Sequence, residues 1–489
     1  MMAAIVVANH GISPNPLHHA TMTVADSSPL HPINIFYIGS VAALAGFLFG
    51  FDTGVIAGAE PFINKTFSID TADARGGALE GFIVGAVPLG ALFGSMLSGW
   101  LSQWLGRRKS LMVTALLFIV GTLGAAFAPA VSILIGARLL MGVAIGVSAM
   151  ITPMYLGEVA PARVRGTIIF MFQLAITLGL LVSFGINLLM AEAISDHNLA
   201  WRVMFAVGLI PAVGLFIGML RLPCSPRWLV MKGRVAEARH VMRSLLGKHE
   251  IDEEMEEIHT SVSQPTGGLR DLCSRRILPL LAVAIFLMVF QQLSGINAIM
   301  YYGPEVFGAA GFGETARNVA QLVMGAVNVG LTVLGMWLID RLGRRLLLSI
   351  GFIGMITCLV LVAVLLYAIP GGAGTYLIFA AILGFIGFFA VSLGGVPWVM
   401  IAELFPFRVR ATGMAIAVMA NWAIDWVVSQ TFPMLRAGFG MDATFAIYAF
   451  CTFIGFFFVM RYVPETKDRT LEQIERNLDA GKSLRHLGD

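Results

Sequence analysis

The chain has 489 residues, 57% of them hydrophobic and 12% charged, with a formal net charge of +3. A soluble domain averages about a quarter charged residues, so this composition excludes a soluble globular protein and reads as an all-α, polytopic membrane protein. Cys224, Cys273, Cys358 and Cys451 are scattered, which excludes a disulfide framework or a thiolate metal site.

The first stretch, 1–33, reads as a disordered tail rather than a signal peptide, because it lacks a basic start and a sustained apolar core. Its His10, His18, His19 and His31 are irregularly spaced and no metal is expected there. Apolar windows of about 20 residues then predict twelve transmembrane helices. They fall near 34–59, 80–101, 110–129, 131–154, 167–190, 201–221, 277–307, 316–339, 346–369, 374–402, 411–434 and 441–462. Glycines such as Gly85, Gly90, Gly94 and Gly99 within the second window suit close helix approach.

Residues 34–221 and 277–462 are expected to form two six-helix bundles, joined by a cytoplasmic helical linker at 222–276 and followed by a cytoplasmic tail at 463–489. In the linker, Val235, Ala238, Val241, Met242 and Leu245 fall on one helical face. The acidic run 250–257 reads as a solvated face. With the tail and even-numbered loops inside, that side holds 26 of the 32 Lys and Arg residues, so both termini are expected in the cytoplasm.

The halves repeat. WLSQWLGRRKSL at 100–111 matches WLIDRLGRRLLL at 337–348, and GEVAPARVRG at 157–166 matches AELFPFRVRATG at 402–413. The second offset places Gly50-Phe51-Asp52 on Gly295-Ile296-Asn297, a carboxylate in one half against an amide in the other. Parallel repeats of this kind put a substrate at the midplane between them.

Two internal features suggest what is carried. The seventh window holds Gln291, Gln292, Ser294, Asn297, Tyr301 and Tyr302, all uncharged and all able to donate and accept hydrogen bonds. A polar row in hydrocarbon must face something polar, and this one suits a polyhydroxylated, uncharged ligand. Asp52 lies in the first window, at an insertion cost of about 2.5–3.5 kcal/mol, and so needs a partner or a role. Arg138 is the basic residue well inside a predicted span. The two are expected to pair, either as a proton switch or as a static buried salt bridge. In the first reading, desolvation favours the neutral acid, the guanidinium favours the anion, and conformation changes the balance.

Several motifs, in this order, resemble those of the sugar porter family of the major facilitator superfamily. They are GFDTGVI (50–56), LGRRKS (105–110), PMYLGEVAPARVRG (153–166), QLAITLG (173–179), SPRWL (225–229), QQLSGINAIMYYGPEVF (291–307), DRLGRR (340–345), PWVMIAELFP (397–406) and VPETKDRTLEQIE (463–475). The resemblance runs from about 34 to 480 and is greatest to bacterial proton-coupled symporters of xylose, arabinose, galactose and glucose. It implies the major facilitator fold, transport of a hexose or pentose with a proton by alternating access, and residence in the bacterial inner membrane. It also supports Asp52 and Arg138 as the proton-coupling pair.

By motif, the resemblance implies a sugar site of Gln173, Gln291, Gln292, Asn297, Asn328, Trp398, Asn421 and Trp422. Amides donate to and accept from sugar hydroxyls, and an aromatic face can pack on a pyranose ring. The alternative is that some of these amides only bridge helices. Tyr301 and Tyr302 resemble an outer gate, while Gly394, Gly395 and Pro397 are expected to break the tenth helix near it. Phe49 is a weaker cavity-lining candidate. Glu158, Arg165, Glu403, Arg410, Arg107 and Arg341 resemble a cytoplasmic salt-bridge network; topology signalling alone is the other reading of the arginines.

The chain departs from the family pattern in three places. Gln103 and Trp104 replace an acidic residue and its neighbour in the first-half loop. Cys224 stands in a usual Glu position, and Asp425 where Asn is common. Asp425 is open to three roles: sugar specificity, a second titrating group, or a neutral buried carboxyl.

The expected partners are a monosaccharide, a proton and the lipid bilayer, with no nucleic acid and no cofactor, in a chain functional as a monomer. A facilitator without proton coupling is the main alternative. A non-transporting sugar receptor is the next; it would be expected to carry a long signalling extension, and 27 residues follow the last predicted helix. No nucleotide loop or activated nucleophile points to an enzyme.

Overall fold

The computed structural model describes residues 35–160, 164–246, 269–368, 372–406 and 408–467, with single positions between 251 and 258 and beyond 473. The expected N-terminal tail, the acidic run's remainder and most of the final tail lie outside the described residues. Twelve helices are long and apolar enough to cross a membrane. We number them α1 (Ile35–Thr66), α2 (Ala74–Leu105), α3 (Arg107–Ala126), α4 (Val131–Val159), α5 (Arg165–Ala193), α6 (His197–Arg221), α7 (Leu278–Tyr301), α8 (Glu314–Leu342), α9 (Arg344–Ala368), α10 (Gly374–Leu404), α11 (Arg410–Phe439) and α12 (Met441–Tyr462).

Several helices outrun their apolar windows. α1 continues seven residues beyond 59 and α2 starts six before 80, because their ends carry polar side chains that a hydropathy window discards. α1–α6 and α7–α12 form two bundles, with α1 against α5, α2 against α4 and α9 against α12. Glycine permits the closest approaches. A Cβ at Gly50 would lie 1.8 Å from the Ile176 carbonyl of α5, and one at Gly146 2.1 Å from the Ala91 carbonyl of α2. No larger residue fits there without moving a helix.

Between the bundles, α2 packs on α11 and α5 on α8. The chain enters α1 at one face and reverses with each span, so the α1–α2 and α7–α8 connections share the face opposite the chain ends, hereafter the far face. There the bundles are tightly joined. Gly77 packs on Pro433, Gly81 on Gln430 and Gly85 on Trp426, and the Gln430 side chain donates to the Ala78 carbonyl at 2.8 Å.

The linker carries short helices at Pro226–Met231 and Val235–Leu246. Trp228, Leu229, Ala238, Met242, Ile251 and Met255 form a small core separate from the membrane bundles. Val235, Ala238, Val241 and Met242 of the expected stripe thus find their partners within the linker, while Leu245 packs on the main core.

Three spans are interrupted: α6 only at Gly208, between His197–Val207 and Leu209–Arg221, and α7 and α10 more fully. α7 consists of Leu278–Leu293 and Ile296–Tyr301, followed by a further helix at Gly303–Ala309. The apolar window predicts one helix over 277–307, which the structure divides. The break falls at Gly295, whose φ of +82° suits glycine, and a Cβ there would lie 2.7 Å from the Tyr448 ring. α10 breaks between Val391 and Val396, in the Ser392–Gly395 stretch beside the expected breakers Gly394, Gly395 and Pro397.

Candidate functional site

The break in α10 exposes a carbonyl to the bundle interior. Gln291 of α7 donates to that oxygen, on Leu393, at 2.5 Å. From there a chain of side-chain hydrogen bonds runs between α7 and α11. Asn421 donates to Gln291 Oε1 at 2.7 Å, Gln292 to Asn421 Oδ1 at 3.2 Å, and Asn297 to Gln292 Oε1 at 2.8 Å. Beside Asn297 lies Asp425, which accepts from the Tyr301 hydroxyl and from Ser429, each at 3.4 Å. Tyr301 in turn lies near Thr53 on α1, one residue from Asp52. The α7 break makes this geometry possible. It turns Asn297 back toward Gln292, five residues earlier, which an unbroken helix would not do as closely.

Asp52 and Arg138 are brought together as expected, at 3.6 Å between Oδ1 and Nη1, both essentially inaccessible to solvent. The approach is too long for a hydrogen bond, and neither Asp52 oxygen has a hydrogen-bond partner. Arg138 is better held. It donates to the Ile83 carbonyl at 2.8 Å and lies 5.6 Å from the Phe205 ring centroid. The guanidinium is therefore anchored on α2 while the carboxylate is comparatively free to change partners.

Of the remaining expected site residues, Trp422 is buried and its indole N–H has no hydrogen-bond partner. Phe49 packs on it, with ring centroids 5.3 Å apart, across the seam between the bundles. Asn328 is buried, while Gln173 and Trp398 are half-buried; none of the three joins the amide chain. Tyr302 donates to the Ser429 carbonyl at 2.9 Å and stacks on Phe432, so both tyrosines tie α7 to α11.

At the face of the chain ends, the repeat is visible in side-chain contacts. Arg107 meets Glu158 at 2.8 Å and Arg344 meets Glu403 at 2.9 Å. Ser225 completes the first pair by donating to Glu158, and Thr466 the second by donating to Glu403. Arg165 and Arg410 donate to the carbonyls of Ala160 and Phe405 in equivalent positions. Arg341 requires correction: its guanidinium lies 3.7 Å from the Trp337 ring centroid, and Arg344 takes the place expected for it. The 100–111 to 337–348 match aligns Arg107 with Arg344 and could have given this.

Sequence reasoning missed a second cluster at the far face. Glu60 of α1, Glu80 of α2, Glu305 beyond α7 and Arg436 of α11 come together beside a cavity of about 420 Å³. Glu60 and Glu80 fall at the edges of the predicted windows, where a carboxylate looks like a helix end.

Two bundles of six helices, broken helices at their seam and a polar row across it define a membrane transporter of the major facilitator class. The chain matches the family described as "Sugar (and other) transporter" over residues 38–478. It is 38% identical to a D-xylose transporter of Levilactobacillus brevis, over 91% of this chain and 95% of that one. It is 37% identical to a galactose-proton symporter of Escherichia coli strain K12, over 93% and 96%. Its fold matches a partially occluded inward-open structure of the xylose transporter XylE from E. coli, with a TM-score of 0.80 and 30% identity, covering 89% of this chain and 99% of that one. The chain belongs to the sugar porter family, whose members are transporters and not enzymes.

Proposed function

We propose that the protein imports a monosaccharide, a hexose or a pentose, together with a proton, by alternating access across a bacterial plasma membrane with both termini in the cytoplasm. The observation that carries this reading is the hydrogen-bonded chain from the α10 break through Gln291, Asn421, Gln292 and Asn297, with the bonded Asp425–Tyr301 pair next to it and close to Asp52. Amides bonded to one another can exchange those partners for sugar hydroxyls at little cost, since each bond lost is replaced by one of similar strength. The Trp422 N–H adds an unused donor for a sugar oxygen, and the Trp398 face is a packing surface for a ring.

Proton coupling follows from the Asp52–Arg138 contact. Leaving the first side of the membrane requires Asp52 to be neutral or paired, because an isolated carboxylate in the interior costs several kcal/mol. A proton taken up with sugar satisfies that requirement, and Arg138 is held ready to replace it. Alternating access is served by the α7 and α10 breaks, and Tyr301 and Tyr302 act as the lid over the site. The arginine–carboxylate sets at the other face hold each bundle's cytoplasmic ends.

The joined far face and the likeness to an inward-open xylose transporter support reading this state as open toward the cytoplasm. A galactose-proton symporter among the relatives favours symport over facilitated exchange. Uptake by the purified protein in proteoliposomes, with a panel of hexoses and pentoses and with or without an imposed pH gradient, tests both parts. Concentrative uptake of a sugar under an inward proton gradient is expected. Equilibration alone would move the assignment to a facilitator, and no sugar uptake would overturn it. A single chain holds the whole site, so we propose a functional monomer.

A further inference from the structure

Arg436 stands where the bundles meet at the far face, with carboxylates from both sides against it. It pairs with Glu80 of the first bundle, buried at 0% exposure, at 3.0 Å, and with Glu305 of its own bundle. The Glu80 and Glu60 carboxyls face each other, and the Asn64 side chain donates to both. All three carboxylates have oxygens within 4.8 Å of one another. The same α2–α11 contact holds the close packing of Gly81 on Gln430 and Gly77 on Pro433. The ion pair therefore forms only when the bundles are joined here.

We propose that Arg436, Glu80, Glu305 and Glu60 form a proton-responsive latch that closes the far face in each transport cycle. Two physical points support the proton dependence. Two buried carboxyl groups this close can bond each other only by sharing a proton, because two carboxylates are acceptors only. The contact charge also does not balance, with three carboxyls against one guanidinium. The other groups facing the cluster are Lys65 on α1 and Arg317 on α8, which line the adjoining cavity, and Tyr302, which directly follows α7. Lys65 is exposed and Arg317 donates to the Phe312 carbonyl, so neither is seated between Glu60 and Glu80.

The sign follows. When the far face opens, Glu60 and Glu80 stay together on the first bundle while Arg436 and Glu305 leave as a charge-compensated pair; the change the two carboxyls feel is hydration, and the shared proton is lost. Closing takes up one proton, so acid on that side favours closure. By linkage, one proton changes the closed-to-open ratio by up to about tenfold per pH unit. Arg436 must also release Glu80 each time the face opens, so the latch sets an opening barrier separate from the lid formed by Tyr301 and Tyr302.

The test reads distance rather than uptake, and so does not depend on which sugar or ion is carried. Nitroxide labels at Asp70→Cys and Glu314→Cys report the far-face gap by electron–electron resonance in lipid nanodiscs. The four native cysteines are changed to Ser, and Asp52→Asn is included so that Asp52 cannot supply the pH response. The closed fraction is expected to rise as pH falls from about 8 to about 5. Glu60→Gln is expected to abolish that response, because an amide donates to Glu80 without a titrating proton. Glu80→Gln, equally isosteric, should do the same and serves if the first variant does not fold. Arg436→Gln should open the far face across the range. A pH response retained in either glutamine variant, or an unchanged gap in Arg436→Gln, would overturn the latch.

Discussion

Arg138 holds its guanidinium 3.6 Å from the Asp52 carboxylate while being anchored to the Ile83 carbonyl at 2.8 Å. One partner is fixed to α2 and the other has no hydrogen bond of its own. That asymmetry makes Asp52 the movable member. In Asp52→Asn, an inward proton gradient should no longer concentrate sugar, whereas exchange of labelled sugar should persist. A coupled proton would otherwise support up to about tenfold accumulation per pH unit, or about 1.4 kcal/mol. Proteoliposome uptake at fixed sugar with the gradient imposed or collapsed distinguishes the two; concentrative uptake by the variant would sink the assignment.

Gln292 is the middle of the amide chain, donating to Asn421 and accepting from Asn297. Gln292→Ala should weaken sugar affinity by about 1–3 kcal/mol, roughly five- to 150-fold. Isothermal titration with the transported sugar measures it directly. An affinity within about twofold of the parent would mean that the chain only braces the helices.

The two repeats should differ in how strongly they cap their third helices. Glu465 accepts from the backbone N–H groups of Arg344 and Arg345 at 3.0 and 2.9 Å, satisfying the start of α9. The corresponding PCSP segment has Cys224, which carries no carboxylate for α3. Glu465→Ala should destabilise the protein by about 1–2 kcal/mol, as loss of a helix cap does. Cys224→Ala should change the midpoint of thermal unfolding far less, and equal effects would count against the asymmetry.

Gly295 combines a φ of +82° with the Tyr448 ring at 2.7 Å from where a Cβ would stand. Gly295→Ala should therefore cost at least about 1 kcal/mol from backbone strain and displace Asn297 from Gln292. Reduced thermal stability together with weaker sugar binding is the expected result. Weaker binding should also appear in Tyr448→Ala if ring packing holds the break, and normal binding in both would show that the break does not position the site.

Much of the fold and part of the site could be read from residue order. Apolar windows found all twelve spans because lipid imposes length and composition on each separately. The Asp52–Arg138 pair was legible because charge is rare inside hydrocarbon. The polar row in α7 was legible for the same reason, although its break at Gly295 was not, since a glycine in an apolar run signals close packing as readily as a turn. Arg341 was misassigned because neighbouring arginines in DRLGRR look alike until helix direction selects Arg344.

What the sequence determined by itself was therefore whatever each helix must satisfy alone against lipid: span, polar face, intramembrane charge and the internal repeat. Tertiary structure decided which polar groups meet. Asn421 reaches Gln291 across 130 positions and Arg436 reaches Glu80 across 356, and no local pattern encodes such pairs. They exist because small residues let particular helices approach, and approach at the seam between bundles depends on which face is closed.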